Sequence, residues 1–590
     1  MTRALRRSFV AFLVLTFGGH LSAIEIPPGG SLISDPAKLT AYAAEDIGSA
    51  EKISPEGWRI RITKASPGEP FLAQCTIACP GGALDKGDKV LAVIKARATH
   101  GAPGTLHAKL QLAAAPYTEA CGVTGFKLSP KWIEYPVLFT VENPIPEGKA
   151  AFTLFCAQEE QFLEIAGIQV IRYAPETDTS KFPRIRNTYA GREPDAPWRI
   201  AALERIEKIR KADCSLTLTG ADGKPLANRT VKLSLRRHEF GFGSATPASF
   251  YAADTEDAKR FRDIIDRLFS IVVFENDLKD MWWGKNTPPH EREHRQKETD
   301  AAFQWLGERH IAIRGHYLMQ VAVPPNLQKM DDASVREHLM ETTRRRIEYA
   351  GDRVCEWDAI NHPIAWSGAS LFSKRPGLEQ LEREVLAHAR TLTKLPMWVN
   401  EDQIFRPGPQ SDDTWTYLRD LKAAGIRIDG FGNQAHIHES YLPSPEHVLA
   451  VTDRFAEVVP HQAITEFDIR TIEDEQLAAD YTRDLLIACY SHPAYTSFLL
   501  WGFWEGSHWI PDAASWNKDW SIKARGEVLE EWLGKRWRTE VTLTTDANGS
   551  VKWRGFTGWY EVSLENAEHP AVMCNLTRAL PSASVKLGSE

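Results

Sequence analysis

The pattern of apolar and polar positions changes along the chain and predicts regions of different structure. Residues 24–175 contain short runs that are apolar or that alternate between apolar and polar, separated by turns rich in Gly and Pro. Several short strands at this spacing are typical of a β-sandwich. The strand-like runs are Val90–Ala96, Leu106–Leu112, Tyr135–Val141, Ala151–Phe155 and Leu163–Val170.

Residues 176–211 are predicted to be a linker followed by a helix. The stretch 176–200 is polar and contains several prolines, which is typical of a connecting segment. The helix is expected from about Trp198 to Lys211. This segment would join the sandwich to the rest of the chain.

Two regions with matched alternation predict a second, smaller β domain. Each carries a turn signal, Asp222-Gly223 in the first and Asn548-Gly549 in the second, and such dipeptides favour β-hairpins. We therefore expect residues 212–237 and 537–590 to form one small β-sandwich with a large domain inserted in it; two unrelated β appendages are the alternative. The alternating runs are Ser215–Thr219, Thr230–Leu235, Val541–Thr545 and Trp559–Leu564.

Residues 238–536 alternate short apolar runs with helical stretches such as 334–350 and 378–393. Eight strand-like runs in about 300 residues predict a (β/α)8 barrel, whose chemistry lies at the C-terminal strand ends. The predicted fold class is therefore multidomain, α/β plus β: a (β/α)8 barrel with an N-terminal β-sandwich and a small β-sandwich formed around the barrel. The eight runs are Phe240–Ser244, Ile271–Asn276, Ile311–His316, Glu356–His362, Met397–Asp402, Ile428–Gln434, Ala463–Glu466 and Phe498–Gly502.

Composition and charge exclude several classes of protein. With 43% hydrophobic and 25% charged residues, the chain has the balance of ordinary folded domains rather than of a disordered or collagen-like protein. The net charge is −8 and no long basic run occurs, which argues against nucleic acid and anionic lipid as partners. Fourteen of the 19 tryptophans fall between Trp282 and Trp537, which indicates either a large core or flat surfaces for sugar rings.

The N-terminus has the pattern of a secretory signal peptide. Arg3, Arg6 and Arg7 precede an apolar run, Phe9–Phe17, and small residues follow up to Ala23. The run is too short to span a bilayer. We expect residues 1–23 to be removed and the mature protein to be secreted or periplasmic, without membrane insertion and as a monomer.

The eight cysteines raise the question of disulfides and of zinc. Export permits disulfides, so one or two bridges are expected among Cys75, Cys79, Cys121 and Cys156. A zinc site would need tightly spaced ligand pairs, and only Cys75/Cys79 qualifies. The remaining cysteines are expected to be buried thiols, and no metal or organic cofactor is expected.

Polar residues at the ends of the predicted barrel strands carry the candidate chemistry. They include Phe274-Glu275-Asn276 with Lys279, Arg314-Gly315-His316, Trp357-Asp358 through Asn361, Gln434 with His436, Ile464-Thr465-Glu466-Phe467-Asp468, and Trp501-Gly502. In this order, over about half the chain, the set resembles glycoside hydrolase family 10, the retaining β-1,4-xylanase barrels. The sandwich at 24–175 resembles, in architecture, the carbohydrate-binding modules attached to polysaccharide hydrolases.

The resemblance implies a role for each matching residue. Glu466 matches the nucleophile that attacks the anomeric carbon, and His436 and Asp468 match the pair that orients it. Asn361 matches the side chain near the sugar 2-hydroxyl. The candidate substrate-binding residues are Glu275, Asn276, Lys279, His316, Gln320, Asn361, Asn400, Gln434, Trp501 and Trp509.

The sequence departs from the family at two positions. Gln320 stands where the family has Trp, so one stacking wall is lost. His362, followed by Pro363, stands where the family has the Glu that acts as general acid and base. A retaining hydrolase needs a proton donor for the leaving group and then a base for water.

Three interpretations of His362 stay open at this point. It could replace the glutamic acid itself, since an unperturbed imidazole has a pKa near 6.5. Another carboxylate could serve: Glu401, the best placed because it ends the neighbouring strand, or else Glu356, Asp402 or Glu505. In the third interpretation the barrel binds glycans without cleaving them. The expected function is retaining hydrolysis of a β-linked polysaccharide, xylan by default; a carbohydrate-binding protein is the alternative.

Overall fold

The computed structural model describes residues 24–55, 57–99, 104–185, 187–279, 283, 288–321, 325–365, 367, 375–406, 408–439, 441–471, 474–565 and 570–587. They form two compact units, and the chain passes from the first to the second between Asn187 and Thr188. The predicted signal peptide, residues 1–23, lies outside the described residues. No described helix is both long and apolar enough to cross a membrane.

The first unit is a sandwich of two antiparallel sheets. One sheet has the order β3-β4-β11-β6-β9 with β1 beside β11, and the other has the order β2-β5-β10-β7-β8. The predicted strand-like runs lie in β6, β7, β9, β10 and β11. The strands are β1 (Ser31–Leu32), β2 (Leu39–Ala43), β3 (Gly48–Ser54), β4 (Gly57–Ile62), β5 (Ala73–Cys79), β6 (Lys89–Ala98), β7 (Gly104–Leu112), β8 (Thr124–Leu128), β9 (Ile133–Thr140), β10 (Ala150–Phe155) and β11 (Gln161–Tyr173).

Alternation along each strand explains how the sandwich holds together. In β5 every second side chain is buried, beginning with Ala73 and ending with Cys79. These side chains share one core with Ile60 and Leu163 of the opposite sheet. Burying apolar surface between two sheets in this way supplies the main stabilising free energy of such a domain.

The cysteines correct one expectation. All eight lie in the described part of the chain, and all eight are free thiols. The expected disulfides among Cys75, Cys79, Cys121 and Cys156 are therefore absent there. These four side chains are buried in the sandwich core, where each behaves as a small apolar residue. Burial raises the pKa of Cys75 to about 12, so this thiol stays protonated and unreactive.

The second unit contains an N-terminal α-helix, the small β domain and the barrel with its own helices. Its strands are β12 (Lys211–Thr219), β13 (Thr230–His238), β14 (Gly241–Thr246), β15 (Ile271–Phe274), β16 (Ala312–Gln320), β17 (Glu356–Asn361), β18 (Met397–Glu401), β19 (Gly430–Asn433), β20 (His436–His438), β21 (His461–Arg470), β22 (Tyr495–Leu500), β23 (Glu540–Thr544), β24 (Ser550–Phe556), β25 (Gly558–Leu564), β26 (Val572–Leu576) and β27 (Ser582–Lys586). Its helices are α1 (Pro197–Ile209), α2 (Ser249–Ala252), α3 (Glu256–Leu268), α4 (Pro289–Gly307), α5 (Pro325–Gln328), α6 (Asp332–Ala350), α7 (Leu381–Leu392), α8 (Pro409–Ala423), α9 (Pro445–Ala456), α10 (Glu475–Ser491) and α11 (Ala524–Glu531).

The barrel is closed and parallel, as the eight strand-like runs predict. Its strands follow one another in the order β14, β15, β16, β17, β18, β19, β21, β22, and β22 returns to pair with β14. The short strand β20 lies beside β21. Helices lie between successive strands, and several begin where a side chain accepts a hydrogen bond from the first turn. These capping residues include Thr255, Asp331, Ser444 and Asp474.

Several tryptophans of this region belong to the core. Trp357 and Trp398 are 0% and 3% exposed. Each covers a glycine of the adjacent strand: a Cβ would lie 2.4 Å from Trp357 at Gly315 and 2.3 Å from Trp398 at Gly430. These two indoles therefore fill the barrel wall and are not available to a sugar ring.

The small β domain combines strands from both sides of the barrel. One sheet has the order β24-β12-β27, and the other has the order β23-β13-β25-β26. The predicted hairpin of 215–219 with 230–235 is wrong, because β12 and β13 lie in different sheets. The C-terminal runs 541–545 and 559–564 lie in one sheet as β23 and β25, with β13 between them. The turn dipeptides do form local turns, with Gly223 and Gly549 at positive φ. Alternation alone cannot distinguish strands that are neighbours in one sheet from strands that face each other across a core.

Helix α1 is shorter than expected and is fixed to the barrel. It ends at Ile209, and Lys211, the expected last helical residue, begins β12. Arg199 of α1 forms a buried ion pair with Asp484 of α10. The Tyr189 hydroxyl donates a hydrogen bond to the same carboxylate, 2.9 Å away. The end of the predicted linker is thus part of the second unit.

Candidate active site

The predicted strand-end residues gather at the C-terminal edge of the barrel. Because the strands are parallel and in register, Asn361 at the end of β17 lies level with Asn400 of β18. In the same way His436 of β20 lies level with Asp468 of β21. We call the hydrogen-bonded group at this edge the strand-end network. Its members are Asn361, His362, Asn400, Glu401, Gln434, His436, Glu466 and Asp468.

Glu466 is a buried carboxylate held on both of its oxygens. Asn400 Nδ2 donates to Oε1 over 2.7 Å, and His436 Nε2 lies 3.3 Å from Oε2. Burial opposes ionisation, but the hydrogen bond from His436 and the nearby imidazole charges outweigh it and lower the pKa of Glu466 below its usual value. The arrangement therefore supplies an anion in a fixed orientation, as a nucleophile requires.

His436 lies between two carboxylates. Its Nδ1 is 2.9 Å from Asp468 Oδ2, while its Nε2 faces Glu466. Burial lowers the pKa of an imidazole, but here the hydrogen bonds to Asp468 and Glu466 prevail and raise the pKa of His436 well above its usual value. The ring is therefore an imidazolium that orients Glu466 and stabilises its charge.

Trp509 borders this charged group on the solvent side. Its Nε1 donates to Asp468 Oδ2 over 2.8 Å, and its ring meets His436 nearly edge-on at 5.1 Å between centroids. The residue is 55% exposed. Unlike Trp357 and Trp398, this indole presents an open face beside the nucleophile, where a sugar ring could stack.

The hydrogen bonds between Glu466 and His362 have a defined direction. An ionised carboxylate only accepts, so the Asn400 side chain must turn its NH2 group toward Glu466. Thr465 Oγ1 donates to the other end of that amide, Asn400 Oδ1, over 2.6 Å. The second hydrogen of Asn400 Nδ2 is donated to Asn361 Oδ1, 2.9 Å away. Each side-chain amide in this series of hydrogen bonds is thereby oriented by the one before it.

The same direction continues to the imidazole. Gln434 Nε2 donates to Asn361 Oδ1 over 3.1 Å, and lies 3.1 Å from His362 Nε2. Since Gln434 approaches with an NH2 group, His362 Nε2 must accept and cannot carry a proton. The proton of the neutral ring then belongs on Nδ1, which faces Glu401 Oε1 at 3.5 Å.

The backbone around His362 is fixed as firmly as the side chain. His362 adopts a left-handed conformation with φ of 55°, and its N–H donates to Asn400 O over 2.9 Å. Glu401 is fully buried and accepts from three backbone N–H groups. These belong to Ile364, Ala365 and Asp402, at 2.7, 3.1 and 2.8 Å. Glu401 therefore anchors the chain after β17.

The other carboxylates considered as proton donors lie in three different environments. Glu356 begins β17, at the opposite end of the strand from Asn361, and is paired with Arg314. Glu505 lies in the loop after β22 and accepts from the backbone of Lys518. Asp402 follows directly after β18, is partly exposed, and lies close enough to His436 for the charge of that imidazolium to act on it.

The remaining predicted residues surround the network. His316 Nδ1 lies 2.9 Å from Asp358 Oδ2, and its ring meets Trp501 edge-on at 5.1 Å. Lys279 donates to Asn276 Oδ1 over 3.0 Å. Burial lowers the pKa of Lys279, opposed by the charges of Glu466 and Glu275, which places all three in one electrostatic environment. Gln320 ends β16 level with Asn361.

Two residues of the site were named within the sequence motifs but were given no role there. Thr465 orients Asn400, although nothing in the strand pattern distinguishes it from any other buried Thr. Asp358 fixes His316 and pairs with the buried Arg314. Two charged residues inside adjacent apolar strands were the available signal for that pair, because buried charges are rarely left unpaired.

Comparison with known proteins gives a consistent relationship for the barrel. The family model "Glycosyl hydrolase family 10" matches residues 233–525. The anti-sigma-I factor RsgI6 of Acetivibrio thermocellus is 27% identical over 372 residues, and endo-1,4-beta-xylanase 1 of Arabidopsis thaliana is 24% identical over 381 residues. Each match covers 62% of this chain, but only 46% and 38% of those two relatives.

Endo-1,4-beta-xylanase 5 of Pyricularia oryzae is 26% identical over 310 residues, which are 50% of this chain and 72% of that protein. Among solved structures, xylanase 10B from Thermotoga petrophila RKU-1 in complex with xylobiose is similar at 21% identity with a TM-score of 0.43. That match covers 50% of this chain and 95% of the other. On the match of the family model, the barrel of this chain belongs to glycosyl hydrolase family 10.

Proposed function

We propose that the protein is a retaining glycoside hydrolase that cleaves a β-1,4-linked, xylan-like polysaccharide. One observation carries the proposal: Glu466 is a buried anion held by Asn400 and the His436 imidazolium at the mouth of a family 10 barrel. The relatives named as xylanases make xylan the default substrate. The open face of Trp509 beside Asp468 gives the site a platform for a sugar ring.

The geometry supports a two-step displacement. In the first step a Glu466 oxygen bonds to the anomeric carbon as the glycosidic C–O bond breaks, and a proton donor protonates the leaving oxygen. In the second step the same group removes a proton from water, whose oxygen displaces Glu466 and releases the sugar. Asn400 and His436 hold the carboxylate in line in both steps.

A second candidate function is carbohydrate binding without cleavage. The observations that favour it are the His at position 362 and the loss of a Trp at Gln320, which remove one functional group and one stacking surface. Against it stands the strand-end network, because a pure binding site gains nothing from an anion that is buried at the expense of its hydration.

Labelling with an activated fluoro-glycoside separates the two functions. Such a reagent carries a leaving group that departs without a proton, so it needs only the nucleophile. We expect the glycosyl group to remain on Glu466, detected as a mass increase on its peptide. Glu466→Gln is the matched negative control. An unlabelled native protein that still binds xylo-oligosaccharides would instead establish the binding function.

Export and attachment to polysaccharide complete the proposal. The basic and apolar segments before Ala23 support secretion or periplasmic location, and the N-terminal sandwich would act as a carbohydrate-binding module. The protein would then work as a monomer on substrate outside the cytoplasm.

A further inference from the structure

The structure points to Asp402 as the proton donor of this site, and as the base of the second step. The inference deepens the function proposed above and rests on it. The residue that occupies the family's acid position, His362, would then be a positioning residue within the strand-end network.

His362 is unsuited to give a proton to the leaving group. Its Nε2 accepts from Gln434, and that direction is set by Glu466 through Asn400 and Asn361. A proton on Nε2 would oppose the NH2 group of Gln434 at 3.1 Å. Reversing Gln434 would in turn place its oxygen against Asn361 Oδ1. All of these side-chain amides would have to reverse their orientation. Glu466 prevents this, because an ionised carboxylate cannot donate a hydrogen bond.

Glu401 is equally unsuited, although it ends the neighbouring strand. Its side chain is fully buried, and both oxygens accept backbone N–H groups. A proton on either oxygen would displace one of these hydrogen bonds, and an unsatisfied buried N–H costs about 1–3 kcal/mol. A leaving group has no access to an enclosed carboxyl.

Asp402 has the access that Glu401 lacks. Its N–H donates to Glu401 Oε1, and its carbonyl oxygen accepts from Gln410 Nε2 over 2.7 Å, so its backbone is fixed on both sides. Oδ1 accepts from Gln403 N, also over 2.7 Å. Among the described residues, no side chain donates a hydrogen bond to Oδ2. The carboxyl is therefore positioned through Oδ1 and the backbone, and the residue is partly exposed.

Asp402 lies at the strand end next to the family's acid position. His362 N donates to Asn400 O, so the level of the family's acid position falls between Asn400 and Glu401 on β18. Asp402 lies further along that strand direction, toward the barrel mouth.

The electrostatic environment favours the protonated form of Asp402. Burial raises the pKa of this carboxyl, helped by the charge of Glu401 and opposed by the charge of His436 and the hydrogen bond from Gln403. The pKa of Glu466 moves the opposite way, downward. Two carboxyl groups whose environments separate their pKa values are the usual basis for an acid and a nucleophile in one site.

The proposed steps balance without any further reactant. Asp402 gives its proton to the glycosidic oxygen as the bond from the anomeric carbon to that oxygen breaks and the bond to Glu466 forms. In the second step the Asp402 carboxylate takes a proton from water, the water oxygen bonds to the anomeric carbon, and Glu466 leaves as the carboxylate. Both carboxyl groups then have their starting charges.

The test compares Asp402→Asn with His362→Gln on two substrates of one sugar, xylotetraose and dinitrophenyl xylobioside. For Asp402→Asn we expect kcat/KM on xylotetraose to fall about 10²–10⁴-fold, the usual contribution of positioned proton transfer. On the activated substrate the loss should stay below about tenfold, because that leaving group departs unprotonated. Added azide, which needs no general base, should restore turnover and yield a glycosyl azide.

His362→Gln keeps an acceptor for Gln434, so we expect a smaller loss that is equal on both substrates, with no azide product. Asp413→Asn, an exposed carboxyl on α8, controls for the change of charge. Thermal unfolding checks each variant, and Asp402→Ser replaces Asp402→Asn should the latter unfold.

The outcomes separate this inference from the function beneath it. Should fluoro-glycoside label Glu466 while Asp402→Asn cleaves xylotetraose at nearly the native rate, the inference is overturned and the hydrolase function stands. A leaving-group-dependent, azide-rescued loss in His362→Gln would move the acid to that residue. A native protein that is neither labelled nor active would overturn both.

Discussion

The two sides of the strand-end network differ in how they are built. Around Glu466 every contact is a side chain that orients or charges the carboxylate, namely Asn400, His436 and, through His436, Asp468. Around His362 the equivalent carboxylate is missing, and the nearest one, Glu401, serves the backbone. A nucleophile must be held in line with the anomeric carbon, whereas a proton donor needs only to reach the leaving oxygen. The proton donor can therefore lie at another strand end.

The largest expected effect concerns the nucleophile side. Glu466→Gln removes the attacking anion but keeps the shape and the hydrogen bond from Asn400. We expect kcat on dinitrophenyl xylobioside to fall at least about 10⁴-fold, as for other nucleophile replacements. The thermal unfolding midpoint should fall only slightly, because Gln keeps the hydrogen bond from Asn400 and the His436 imidazolium keeps Asp468 as its partner.

Glu457→Gln, an exposed change on the same unit, serves as the control for that measurement. Activity near the native level in Glu466→Gln would show that Glu466 is not the nucleophile.

A smaller effect is expected from His436→Asn, which tests whether the His436 imidazolium keeps Glu466 ionised. His436 holds the pKa of Glu466 below its usual value of 4.5. The nucleophile must be ionised, so the rate falls as pH drops through this pKa. Without the imidazolium the pKa of Glu466 rises, and the acidic limb of kcat/KM moves to higher pH.

The measurement is the pH profile of kcat/KM on the activated substrate, with His461→Asn as the exposed control at the other end of β21. An acidic limb that stays in place would mean that Asn400 and burial, not His436, set the charge of Glu466.

The smallest effect is expected on the proton-donor side and concerns stability. Glu401→Gln places an NH2 group against backbone N–H groups of Ile364, Ala365 or Asp402. One unsatisfied buried donor lowers the free energy of unfolding by about 1–3 kcal/mol. Chemical denaturation measures this, with the exposed change Glu379→Gln as reference.

The same Glu→Gln change is thus expected to have different effects at positions 466 and 401. Glu466→Gln should remove activity with only a small loss of stability, whereas Glu401→Gln should mainly lower stability. Equal stability of Glu401→Gln and native protein would show that the anchoring role of Glu401 is wrong.

The sequence predicted the barrel better than it predicted the small β domain. In a parallel barrel, the order of the apolar runs in the sequence fixes the position of each strand, because strands that are neighbours in sequence are neighbours in space. The strands at 215–219 and 230–235 show the same alternation whether they pair or face each other, and the structure puts them in separate sheets. The local turns at Gly223 and Gly549 formed as predicted without making hairpins.

For the site, residue type at a strand end was enough to select Glu466, His436, Asp468 and Asn361. It ranked Glu401 above Asp402 because Glu401 ends the strand, but it could not show which of these two neighbouring carboxylates is enclosed by backbone N–H groups. Their difference lies in backbone N–H groups contributed by Ile364 and Ala365, which follow another strand. No pattern within one strand contains that information.

The sequence by itself determined the order of strands and helices, the barrel class and the set of polar residues at its mouth, because periodicity and residue type are local properties. Only the tertiary structure decided which sheet each flanking strand joins, that the cysteines stay apart as thiols, and which way the hydrogen bonds run from Glu466 to His362. These depend on groups far apart in the chain whose burial leaves each donor one possible acceptor.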